Sequence, residues 1–190
     1  MIKLKDSNIR VLEPVPGLDY YDTQSVDLPK KIRPLEAWNA IMEDPQPLLK
    51  VAFRVRDAIS SRFGVRSIGG FSGVAADVIK VGDKLDFFSV EHHDENALVL
   101  TERDRHLDVM TCISTEGISV SVTSSVRVHN GFGRAYMVPV GIAHKWIVRG
   151  MLRRLRRKAL TENWIINQIL IKASKPGHSK IRPAPHIVAN

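Results

Sequence analysis

The clearest pattern in the chain lies at residues 118–129. Ile118, Val120, Val122, Val126 and Val128 fall on one side, and Ser119, Ser121, Thr123, Ser125, Arg127 and His129 on the other. Strict alternation of this kind predicts an antiparallel strand with one face against an apolar interior and one against water. Ser124 is the one polar interruption of the apolar side. Residues 84–91, 97–103 and 107–115 read as further strands joined by short polar turns. Tyr20–Leu28 reads as an earlier strand closed by Pro29.

Two stretches change to the helical period. Pro34 suits a first helical position, and Leu35, Trp38, Ile41 and Met42 share one face up to Asp44-Pro45. From Pro47, a stripe of Leu48, Val51, Ala52, Val55, Ile59 and Phe63 predicts a second helix ended by Gly64. Ser67–Gly73 (SIGGFSG) is turn-rich. A third, longer helix is expected from about Gly141 to Leu160, with Ile147, Val148, Met151, Leu152, Leu155 and Ala159 inward and Lys145, Arg149, Arg153, Arg156 and Arg157 outward. A one-sided antiparallel sheet needs a cover, and this helix is the natural one. The predicted fold class is therefore α+β, organised as an irregular arm at 1–17, a domain at 18–160 and an extension at 161–190.

Charge adds an asymmetry. The 190-residue chain carries a net +8 with a pI near 9.8. From Arg134 onward there are 12 Lys or Arg against the single acid Glu162, whereas residues 1–133 hold 16 bases and 19 acids. The basic run Arg149–Lys158 could face phosphates of nucleic acid or an anionic membrane through Arg149, Arg153, Arg156 and Arg157. No aromatic residue lies between Arg149 and Lys158, which argues against base stacking and makes nucleic acid the weaker partner. Because the helix's other face is needed for the core, a solvated outer ridge is the simplest reading. The apolar run Trp164–Ile171 needs burial, either by packing on the same chain or through a homodimer contact.

A single cysteine, Cys112, excludes an internal disulfide framework and points to a reducing, cytoplasmic setting. No apolar run reaches the length of a spanning helix, and the first residues lack a signal-peptide pattern. Walker, G-x-G-x-x-G, G-x-S-x-G and H-E-x-x-H motifs are absent, so no cofactor and no metal is expected. The adjacent His92 and His93 would point to opposite faces of a strand.

Three groups of residues could carry chemistry. Asp104, His106 and Asp108 surround a tight turn, where carboxylate and imidazole could act as acid and base or serve only the turn. His129, Asn130, Arg134 and Tyr136 cluster between the last strand and the helix. With Gly131 and Gly133 loosening the backbone, they form the preferred ligand-binding cluster, suited to an anionic head group. His144 stands on the apolar stripe of the long helix. His106, His144 and Tyr136 are the candidate catalytic groups.

The element order resembles the helix-grip fold of START-type lipid-transfer domains, polyketide cyclases and birch-pollen-allergen-like proteins. More narrowly, DYYDTQSVDLP (Asp19–Pro29), RDRHLDV (Arg103–Val109) and VHNGFGRAYMVPVGIAHKWIVRGMLRRLRR (Val128–Arg157) resemble a bacterial family known as a domain of unknown function. That family is also found behind NAD(P)-binding domains. The resemblance spans roughly residues 18–158. Where such relatives often carry Pro-Phe-His-Arg, this chain has Ile142-Ala143-His144-Lys145, which keeps the histidine and loses the aromatic. The resemblance brings no catalytic residue with it. It implies a curved sheet wrapped around the C-terminal helix with a cavity between them, and an NAD(P)-binding protein as a partner. The expected function is binding of a small apolar or amphipathic molecule. The alternatives are a cyclase-, dehydratase- or isomerase-like enzyme and an interaction protein using its basic helix.

Overall fold

The computed structural model describes residues 1–43 and 73–174, with side chains through residue 162. The expected second helix and most of SIGGFSG lie outside the described residues. Eight strands are described: β1 (Ile2–Lys3), β2 (Arg10–Val11), β3 (Tyr20–Asp27), β4 (Lys84–Leu85), β5 (Phe88–His93), β6 (Ala97–Arg103), β7 (Leu107–Glu116) and β8 (Ser119–Val128). Two α-helices join them, α1 (Pro34–Met42) and α2 (Gly131–Ser174). No helix among the described residues is long and apolar enough to cross a membrane.

The six strands β3–β8 form one antiparallel sheet in the order β3-β8-β7-β6-β5-β4. Successive hairpins build β4 to β8, and β3 closes the sheet by pairing with β8 from Tyr20↔Val126 to Asp27↔Ser119. The predicted strand at 84–91 is in fact a tight hairpin. Leu85 pairs with Phe88, and Asp86 between them adopts φ 56°, a left-handed geometry that Asp tolerates better than most residues. Gly117 makes the β7–β8 turn at φ 58°.

Directly opposed residues share a face, so the register sorts the side chains. The concave face carries Leu98 and Leu100 of β6, Ile113 of β7 and Val120 and Val122 of β8, all buried. Against them pack Leu35, Trp38, Ile41 and Met42 of α1, and Val148, Leu152, Leu155 and Ala159 of α2. Each large apolar side chain so buried contributes on the order of 1.5–3 kcal/mol. Lys158 of α2 also ion-pairs with Glu43 at the end of α1. The result is a helix-grip-like α+β fold, a curved antiparallel sheet against a long C-terminal helix and a short one.

Two further features differ from expectation. The first residues are not wholly irregular: β1 and β2 form a small hairpin on the convex face of the sheet. There Leu12 packs on the buried cluster Ala97, Val99, Met110 and Cys112. Backbone N–H groups of Arg10 and Leu12 donate to Cys112 Sγ (3.3 Å) and Ser125 Oγ (3.1 Å). The convex face at β8 is therefore covered rather than open to water, and Thr123 and Ser125 are both buried.

The second is the extent of α2. It begins ten residues before the expected Gly141 and continues through Ser174. Pro139 lies inside it, on an exposed side. The carbonyl whose helical bond proline removes belongs to Ala135, itself an exposed residue that water can satisfy. Trp164–Ile171 thus continues the same helix, and its side chains are outside the described set.

Candidate functional site

The two oddities of the apolar pattern meet in space. On β8, Ser124 lies between Val122 and Val126 and points to the concave face, directly across from Asp22 of β3. On α2, His144 faces the sheet one turn before Val148. Its Nε2 lies 3.2 Å from Ser124 Oγ, and its Nδ1 lies 3.4 Å from Tyr20 Oη. Tyr20 Oη donates to the carbonyl of Gly141 at 3.2 Å. One proton assignment satisfies every partner: Nδ1–H donates to the Tyr20 oxygen, and Nε2 accepts from the Ser124 hydroxyl. The Tyr20 and His144 rings meet edge to face at 5.9 Å.

Local sequence makes this approach possible. Gly141 lies against the Tyr20 ring, where an added Cβ would come within 2.9 Å of Tyr20 Cε2. The alternate residues Asp22 and Gln24 extend the contact along β3. Gln24 Nε2 donates to Asp22 Oδ2 (2.7 Å) and to the carbonyl of Lys145 (3.1 Å), and Lys145 Nζ lies 4.0 Å from Asp22. The edge strand thereby holds the helix by its polar side chains.

Burial shapes the electrostatics. It lowers the His144 imidazole below its ordinary value, with the Asp22 carboxylate opposing, so the ring is an uncharged acceptor at neutral pH. Burial also pushes the Tyr20 phenol up, and Asp22 adds to that, which keeps the hydroxyl proton in place. A hydroxyl, an uncharged imidazole and a phenol in one chain can recognise a polar group or pass a proton.

Beside this chain the concave face is incompletely covered. Val109 and Thr111 point inward from β7, a middle strand, since they oppose Val126 and Ser124. Both remain half-buried, as does Glu102 opposite Val109 on β6. Towards the other end of the same face, Leu98, Ile113 and Val120 are at most 1 % exposed. The floor therefore runs from a closed apolar half to a partly accessible half edged by Ser124 and His144.

The expected ligand-binding cluster forms a tie between the helix start and a hairpin turn. Asn130 caps α2: its Oδ1 accepts from the N–H of Gly133 at 3.1 Å. The same oxygen lies 3.1 Å from Nδ1 of His106, while Arg105 Nε donates to His106 Nε2 at 2.9 Å. Asp104 accepts the backbone N–H groups of His106 (2.7 Å) and Leu107 (3.0 Å). His106 is buried under Phe132, with ring centroids 4.6 Å apart. Tyr136 stacks on Phe132 at 6.4 Å. His129 pairs with Asp108 at 3.2 Å, and Arg134 is exposed. His106, Asn130, Phe132 and Tyr136 thus form one linked group, and His129, which pairs with Asp108, joins it through its backbone N–H to the His106 carbonyl at 2.8 Å. Phe132, which completes the tie, was not among the expected residues.

Of the remaining residues, His92 bonds Asp94 at 2.6 Å beside a bulge between Val90 and His92. Cys112 is buried beneath the β1–β2 arm, and burial pushes its thiol up to about 11. Tyr20, Asp22 and Gln24 are the site residues of β3 that sequence reasoning missed, and Ser124 was read only as an interruption of its strand face. The one signal of the β3 residues was polar side chains at every second position of a strand whose next such residue, Val26, is apolar.

No curated protein and no solved structure matches the chain. One family model does, described as "Protein of unknown function (DUF2867)", over residues 14–151. That span contains all of β3–β8, the site residues on α2, and the tie at the helix start, and so the chain belongs to the DUF2867 family.

Proposed function

We propose that this domain binds a small amphipathic molecule on the concave face of its sheet, its apolar part over Val109 and Thr111 and its polar group against Ser124, His144 and Tyr20. One observation carries the reading. Inward-facing residues of a middle strand stay accessible directly beside a polar chain set into an apolar floor. Binding sites for small molecules commonly combine an apolar lining with a few converging polar groups. The resemblance to helix-grip proteins supports the same position for a ligand. The resemblance to the domain-of-unknown-function family implies, in addition, an NAD(P)-binding domain or protein as a neighbour.

Native mass spectrometry of freshly purified protein, together with titration by a dansyl-labelled fatty acid, tests the proposal. A bound small molecule or saturable dansyl binding is expected, and Thr111→Trp, which fills the accessible floor, should abolish it. Wild-type protein that carries and binds nothing would sink the reading. So would a folded Thr111→Trp variant that binds as well as wild type.

An acid–base enzyme acting on a hydrophobic substrate is the second reading. It is favoured because His144, alone among the three candidate catalytic residues, has a ring nitrogen at hydrogen-bond distance from an inward-facing strand hydroxyl. In that case His144→Gln should retain a co-purified molecule and lose its conversion.

A further inference from the structure

The outward face of α2 divides along its length in a way the sequence pattern did not reveal. Val138, Ile142 and Trp146 recur every fourth residue and are 67 %, 63 % and 65 % exposed. Arg149, Arg153 and Arg156 continue the same face and are also exposed. Arg149 marks the junction, its guanidinium 5.6 Å from the centre of the Trp146 ring. From Gly131 to Thr161 the helix carries eight Lys or Arg and no acid. Among the described residues, no carboxylate lies within ion-pair distance of Arg149, Arg153, Arg156 or Arg157.

We infer that this face docks on the surface of an anionic lipid bilayer. The inner face of α2 is already held by the sheet, so the helix can only lie flat. From Val138 to Arg156 it presents a strip roughly 27 Å long. Val138 and Ile142 would sink to the boundary between headgroups and acyl chains. Trp146 would sit at that boundary, where its apolar ring and polar N–H are both accommodated. The arginines would meet lipid phosphates. Charge complementarity selects an anionic partner, and the apolar half selects a bilayer over nucleic acid. Phosphates of a duplex would engage the arginines but leave three large apolar side chains in water.

Co-sedimentation of the full chain with phosphatidylglycerol-rich vesicles, across a salt series, tests the inference. Binding should weaken as salt rises, and Trp146 fluorescence should shift to the blue. Joint replacement Arg149→Gln, Arg153→Gln and Arg156→Gln should lower the apparent affinity roughly a hundredfold, at about fivefold per arginine. The pair Ile142→Ser and Trp146→Ser should cost at least about tenfold. All five side chains are exposed, so circular dichroism should report intact folds. Three results would overturn the inference: equal binding to pure phosphatidylcholine vesicles, unchanged binding by both variants, or duplex DNA bound through these arginines with no vesicle binding.

Discussion

His144 is where the sequence and the structure explain one another. A histidine on an apolar stripe and a serine interrupting an apolar strand face each violate a local pattern, and each was visible alone. Their meeting was not, because it depends on how far along the sheet the helix docks. Tyr20 and Asp22 were hidden for a related reason: β3 is an edge strand whose polar inner face gives no alternation to read. The pairing has a consequence for pH. Burial lowers the His144 pKa in the folded state, so below about 6.5 the unfolded chain binds more protons than the folded one. Its contribution to stability is therefore complete above that pH and is lost as pH falls through the lowered folded value. The stability difference between wild type and His144→Gln, measured by urea unfolding at several pH values, should favour wild type at neutral pH. It should shrink as pH drops below about 6.5. A difference that stays constant over that range would contradict the burial of an uncharged imidazole.

At the scale of elements, the sheet was legible and the ends of the last helix were not. β6 has the predicted bounds, and β7 and β8 lie within a residue of theirs, because alternation continues almost to each turn. The first ten residues of α2 were hidden by Gly131, Gly133 and Pro139, three residues that ordinarily oppose a helix. Tertiary contact reverses the meaning of one of them. A Cβ on Gly133 would lie 2.6 Å from the carbonyl oxygen of His106 and 2.8 Å from Val128 Cγ1, whereas one on Gly131 would meet nothing within 4 Å. In an unhindered helix, Gly to Ala gains up to about 1 kcal/mol. Gly131→Ala should therefore be neutral or mildly stabilising. Gly133→Ala must push the helix start off the β6–β7 turn, at a cost of about 1–3 kcal/mol. Chemical denaturation of the two variants should give shifts of opposite sign, or no shift against a clear loss. Equal effects would mean that the helix start does not rest on the hairpin.

Across the whole molecule, the sheet is covered on both faces by quite different means. Two helices close much of the concave side with a continuous apolar cluster. On the convex side a short arm does so through Val11, which is fully buried, and Leu12. Two apolar residues between Arg10 and Glu13 have no periodicity, so the arm could not be read as part of the core. Cys112 reports on this cover. Its thiol lies under the arm, and burial raises it to about 11, so thiolate is scarce at neutral pH and access is blocked. In the full chain, Cys112 should react with Ellman's reagent only as fast as the arm lifts or the domain opens. Arg10 and Leu12 tie the arm to β7 and β8 by one backbone N–H bond each, so arm lifting should be the cheaper route. Val11→Asp puts a charge into the fully buried arm contact and should accelerate labelling by orders of magnitude at denaturant concentrations where far-ultraviolet circular dichroism is still native. If labelling and loss of circular dichroism instead keep the same denaturant midpoint in both proteins, the arm and the sheet open as one cooperative unit. The convex cover would then belong to the core as fully as the helices do.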